Sequence, residues 1–183
     1  SALAPGLICA CRKLGKTAAD GMAEMLCEAL TSRGDKAGVV VTLGVWAAWR
    51  EDAEFARFCF ERLTQLAGKE RLFTAFVKAC GLADGATASE GLRRLAVLMD
   101  LKPGALCLEG TWGFGVVKRV DDFYAKVTID FDRKRAHEMT FGYAAQTLRL
   151  LTPDHLFARR HHDAAGVRRM ASEHPAELVR LAL

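Results

Sequence analysis

Apolar positions in the first hundred residues recur every three to four residues, in blocks separated by turn formers. Met22, Met25, Leu26, Ala29 and Leu30 share one helical face, with Thr17 placed to cap the helix and Ser32-Arg33-Gly34-Asp35 to end it. Val39 to Trp49 is apolar almost all round; it fits a buried strand, but its position and the Trp46/Trp49 spacing favour a buried helix. Asp52 is placed to cap the next helix, whose inner face is Phe55, Phe58, Cys59, Leu63 and Leu66, with Gly68 closing it. Leu72, Phe73, Phe76, Val77 and Cys80 form the following face, ended by Gly81. Ser89 is the expected cap of a fifth helix burying Leu92, Leu95, Ala96 and Met99. Helices this short, joined by short turns, predict a bundle or a short helical repeat.

The period changes after Lys102-Pro103-Gly104, where Pro103 disfavours helix at the residue before it. Ala125, Val127, Ile129 and Phe131 alternate with Lys126, Thr128 and Asp130, the period of two of a half-buried strand. Val116 to Val120, His137 to Phe141 and Thr147 to Leu151 read as further strands, and Gly142 to Ala145 as a single helical turn. Short strands with Gly and Asp-Asp turns in about fifty residues predict a small closed antiparallel barrel. Helical signals return at Thr152-Pro153-Asp154, with Pro153 at the first helical position. They return again at Asp163, ahead of Val167, Met170 and Ala171, and at Pro175. The fold class is therefore α+β, with a helical domain over 1–100, a barrel over 101–152 and C-terminal helices over 153–183. The chain starts without Met and breaks off inside a helical pattern, as a piece of a longer protein would.

Composition narrows the function. No apolar run approaches the roughly 18 residues of a membrane span. The six cysteines are scattered, and only Cys9 and Cys11 are close together; they read as reduced, packed thiols of a cytoplasmic protein. The net charge is +4. Residues 1–100 hold 13 Lys and Arg against 12 Asp and Glu, and residues 101–183 hold 13 against 10. The excess lies in Lys118-Arg119, Arg133-Lys134-Arg135, Arg159-Arg160 and Arg168-Arg169, clusters that suit phosphate backbones or acidic protein surfaces.

Gly113-Phe114-Gly115 lacks the third glycine and the following helix of a nucleotide loop, and it reads as a strand bend or bulge. The histidines and cysteines show no zinc-ligand spacing. Asp130 and Asp132 read as charge balance for Lys126 and Arg133 rather than as an acid/base pair, and no motif supplies a nucleophile. The reading is a non-enzyme with no cofactor or metal. Trp112 is the aromatic best placed for exposure, whereas Phe131 belongs to the core. The candidate contact residues are Trp112, Phe114, Lys118, Arg119, Arg133, Lys134 and Arg135.

Lys102-Pro103-Gly104, Gly110 to Val117, Val127 to Phe131 and His137-Glu138-Met139 together resemble the Tudor-like or SH3-like small barrel, of the CarD/KOW type, in the N-terminal extension of some bacterial Gre-type transcription elongation factors. Leu148 to Leu156 and Asp163 to Leu183 are similar to the helices that follow that barrel. The resemblance implies a module that works with RNA polymerase and contacts the enzyme, DNA or RNA. The long coiled-coil hairpin with acidic tip residues that belongs to a full Gre-type factor has no counterpart here, so no transcript-cleavage residues are carried over. The alternative is a protein-interaction scaffold, unrelated to transcription, whose aromatic corner takes a peptide.

Overall fold

The computed structural model describes residues 15–182 and the single positions 6, 9 and 13; Cys11 lies outside them. The protein is α+β, and its chain divides between Met99 and Asp100 into two compact units.

The first unit holds α1 (Lys16–Ser32), α2 (Lys36–Ala47), α3 (Ala53–Ala67), α4 (Arg71–Ala79), a 3-10 turn (Leu82–Asp84) and α5 (Ala88–Met99). Helix α2 is buried at Val39, Val40, Leu43, Trp46 and Ala47, as its near-continuous apolar run requires. Its N-terminus is capped by Asp35, which accepts from the Gly38 N–H at 2.8 Å. Asp52 caps α3 by accepting from the Phe55 N–H at 2.9 Å. That bond, and next the Arg50 side chain, hold the Asp52 carboxyl below its ordinary pKa. The buried Trp46 packs on Phe55 and Phe58, with centroids 5.0 and 5.5 Å away.

Two expected caps move. Gly15 precedes α1, and Thr17 lies within the first turn without capping it. Thr87, not Ser89, caps α5, accepting from the Glu90 N–H at 3.2 Å. The buried stripe of α1 is Ala19, Ala23, Cys27 and Leu30, while Met25 is 67% exposed. Small side chains line the seam where α1 meets α2, and small side chains let helix axes approach. In α5 the core takes Leu98, and Ala96 faces solvent.

The second unit is built on a five-stranded antiparallel sheet: β1 (Leu106–Glu109), β2 (Gly113–Asp121), β3 (Lys126–Phe131), β4 (His137–Thr140) and β5 (Arg149–Leu150). The order is β4-β3-β2-β1-β5. The strands β1 to β4 form a meander. Helix α6 (Phe141–Thr147) then carries the chain back so that β5 pairs with β1. The sheet is open: among the described residues no ladder joins β4 to β5, so the expected closed barrel is not formed by strand pairing.

Val127, Ile129 and Phe131 are fully buried with Cys107, Val117, Phe141 and Ala144, the face predicted by the alternation. Ala125 leaves that face; its φ of 51° puts it in the hairpin turn. The bulge in β2 lies at Lys118, where the β2–β3 register shifts between Val117 and Arg119, and not at Gly113 or Gly115. Bulges add twist and re-aim the side chains beyond them.

Three helices follow: α7 (Leu156–His162), α8 (Ala164–Glu173) and α9 (Pro175–Ala182). Helix α7 starts three residues after Pro153, with the His155 ring accepting from the Phe157 N–H at 3.3 Å. Pro153 sits in the preceding turn. Asp163 caps α8 through the Gly166 N–H at 2.7 Å. No described helix is long and apolar enough to cross a membrane.

Candidate interaction surface of the sheet unit

The β1–β2 turn is shaped by a carboxylate that the sequence did not single out. Glu109 is buried and accepts from the N–H groups of Thr111 at 2.7 Å and Trp112 at 2.9 Å. Those bonds compensate the burial of its charge. They also set Trp112 at the end of the sheet. There its ring lies 5.2 Å from His137, and His137 in turn lies 6.0 Å from the buried Phe131. Trp112 is half-buried rather than open.

The basic turn after β3 closes over this corner. Phe131 and Lys134 exchange backbone hydrogen bonds, and the Asp132 N–H reaches the Phe114 carbonyl at 2.8 Å. Arg133 donates to the Thr111 carbonyl at 3.3 Å, and the Lys134 ammonium stands 6.0 Å from the centre of the Trp112 ring. Trp112, Arg133 and Lys134 are thus brought together.

The other expected residues are dispersed. Lys118 and Arg135 converge on Asp130, at 3.8 and 3.7 Å. Arg119 pairs with Asp121 at 2.5 Å. Phe114 belongs to a separate aromatic group with Phe157 and His161 of α7. Each cation of the expected set therefore meets a carboxylate, a ring or a carbonyl, and the surface carries mixed charge rather than an uninterrupted positive stripe.

The most exposed aromatics are Phe123 and Tyr124, at 69% and 67%, on the tip of the β2–β3 hairpin. Asp121 holds the tip: its Oδ1 accepts from both the Phe123 and the Tyr124 N–H at 3.0 Å. The two rings brace each other edge to face, 4.8 Å apart. Their signal in the sequence is an Asp-Asp turn followed by two aromatics with no apolar strand position to occupy.

Burial by apolar surroundings pushes the Cys107 thiol up to about 12, with Glu109 adding to the rise. Cys27 and Cys59 are likewise pushed up to about 12 by burial, and Cys80 is raised for the same reason. These thiols are poor nucleophiles at neutral pH. Among the described residues no cluster of three His, Cys, Asp or Glu could hold a metal ion.

The sequence is similar to part of bacterial transcription elongation factors. Transcription elongation factor GreA of Chlamydia pneumoniae is 33% identical over 116 residues, which cover 62% of this chain and 16% of that protein. Transcription elongation factor GreA of Chlamydia trachomatis serovar D is 32% identical over 105 residues, 56% of this chain and 15% of that protein. The chain therefore spans about one sixth of the length of these curated relatives. No protein-family model and no solved structure matches it.

Proposed function

We propose that this chain is a non-enzymatic module of a bacterial, cytoplasmic transcription elongation factor and that its sheet unit, an open relative of the Tudor-like fold, docks on RNA polymerase. Residues 1–100 and 153–183 would flank that sheet as helical parts of the module. The observation that carries the reading is the similarity to GreA over 116 residues. The connectivity supports it as well: a four-stranded meander, a short helix, and a fifth strand returning beside the first.

The docking surface has two parts. Phe123 and Tyr124 give a pre-ordered apolar tip of the kind that forms binding hot spots. Around the sheet, Trp112, Lys118, Arg119, Arg133, Lys134 and Arg135 give a rim of mixed charge, which fits a protein surface better than a phosphate backbone.

The test is binding of the 183-residue chain to purified bacterial core RNA polymerase, measured by biolayer interferometry. The expected result is saturable binding that weakens about tenfold or more when Phe123 and Tyr124 are both replaced by Ser. It should weaken less when Arg133, Lys134 and Arg135 become Ala. Absence of polymerase binding by the intact chain would favour the peptide scaffold instead.

A further inference from the structure

A second surface of the sheet unit lies apart from the hairpin tip. His155, Phe157 and Phe114 form a run of near-parallel rings. His155 and Phe157 are 5.8 Å apart at 16°, and Phe157 and Phe114 are 6.2 Å apart at 20°. His161, one turn along α7 from Phe157, lies 5.5 Å from Phe114. The rings of Phe114, Phe157 and His161 border a cavity of about 170 Å³ that Asp132 and Arg160 also line. That is below the roughly 300 Å³ at which pockets begin to enclose drug-sized molecules, and it suits one planar ring laid against the stack.

Arg160 also lines the adjoining depression, with Ala164, Val167 and Arg168. Among the described residues Arg160 has no carboxylate partner, in contrast to Lys118, Arg119 and Arg135. Arg168 spends only its Nε, on the Ala164 carbonyl at 3.2 Å. Two exposed arginines therefore line the depression beside the aromatic step, and Arg160 lines both. Of the nearby acids, Asp154 is paired with Arg159 at 3.2 Å and Asp163 caps α8. Asp132 alone faces the cavity, where its carboxylate can accept from an exocyclic amine.

We infer that this β2–α7–α8 corner binds single-stranded nucleic acid, with one base stacked at Phe114, Phe157 and His161 and the adjoining phosphates on Arg160 and Arg168. Bases of a duplex are already stacked on one another, so a single aromatic step rewards an unpaired base. Arginine is the better cation here, because its planar fork matches phosphate oxygens. The inference goes beyond polymerase docking and does not depend on it, since the two surfaces use different residues.

The test is fluorescence anisotropy of fluorescein-labelled mixed-sequence dodecamers, as single-stranded RNA, single-stranded DNA and DNA duplex, titrated with the 183-residue chain over a salt series. Both single strands should bind more tightly than the duplex. Replacing Arg160 and Arg168 together by Gln should reduce the salt slope by about 1.4, two phosphates at about 0.7 each. Phe157→Leu, which keeps an apolar side chain, should weaken binding about fivefold or more without changing the circular dichroism melt. The inference is overturned by absence of binding, by a duplex that binds as tightly as the single strands, or by binding that survives both variants. It is equally overturned if Ala at Arg133, Lys134 and Arg135 abolishes binding while Gln at Arg160 and Arg168 leaves it intact. Loss of polymerase binding in the Arg160/Arg168 variant with oligonucleotide binding unchanged would reassign this corner to the protein partner.

Discussion

Gly115 lies opposite Phe131 across the β2–β3 ladder, and a Cβ on Gly115 would stand 2.5 Å from Phe131 Cδ1. It would also stand 2.8 Å from Ile129 Cγ2. Phe131 and Ile129 are fully buried, so neither side chain has free space to yield into. The glycine is there because the sheet packs the fully buried Phe131 ring over that backbone. Gly115→Ala should destabilise the protein by about 1–3 kcal/mol. Urea denaturation followed by far-UV circular dichroism checks this, and an unchanged midpoint would show that the ring is not fixed there.

In the helical unit, Asp20 Oδ1 accepts from the indole N–H of Trp46 at 2.7 Å and of Trp49 at 3.0 Å. One oxygen thus ties α1 to the end of α2. Asp20→Ala removes the acceptor for both donors and should cost about 1–3 kcal/mol, because Trp46 is buried and cannot recover a water. Asp20→Asn keeps an oxygen at that position and should cost less. Chemical denaturation read by tryptophan fluorescence compares the two; equal losses would assign the effect to the charge rather than to the shared acceptor.

The sequence made some features legible and hid others for physical reasons. The burial of α2 was legible because apolar residues all round leave no other solution, though only its position and the Trp46/Trp49 spacing separated helix from strand; β3 was legible because a two-residue period has one meaning. Asp52 and Asp163 were legible as caps because each directly precedes a helical run. Thr17 and Ser89 had the right chemistry, but the chain had entered the helix before them. Of the contact set, Trp112, Arg133 and Lys134 converge because two adjacent turns carry them. Phe114 departs to α7, a long-range contact that no local period encodes. The exposure of Phe123 and Tyr124 was hidden because aromatic residues beside a strand ordinarily signal core.

The buried thiols make stability depend on alkaline pH. Their ordinary pKa of 9.0 rises to about 12 in the folded protein for Cys27, Cys59 and Cys107. Burial is the chief cause, since it penalises the thiolate. The folded state therefore holds these protons after the unfolded chain has released them. The stabilisation is complete below about pH 9 and is lost as pH rises from there toward 12. Urea midpoints should be equal at pH 7 and 8 and should fall at pH 10. Iodoacetamide should label these three positions only slowly in the native protein at pH 8, and quickly in denaturant; rapid native labelling would contradict their burial.

Asp121 is the residue on which the hairpin tip depends. It accepts from the Phe123 and Tyr124 N–H groups and pairs with Arg119. Asp121→Ala frees the turn, so binding must then order two aromatic side chains that the wild-type chain presents already ordered. At about 0.5–1.5 kcal/mol for each of the two immobilised side chains, polymerase binding should weaken roughly 5- to 150-fold. Folding stability should fall by no more than about 1–2 kcal/mol, because the lost bonds lie on an exposed turn. Asp121→Asn keeps an oxygen for the two N–H groups but removes the charge that faces Arg119. If order at the tip governs binding, Asn should restore most of the affinity; if the Arg119 pair governs it, Asn should behave like Ala. The same biolayer measurement on the three proteins, with thermal melts as the control, separates these outcomes.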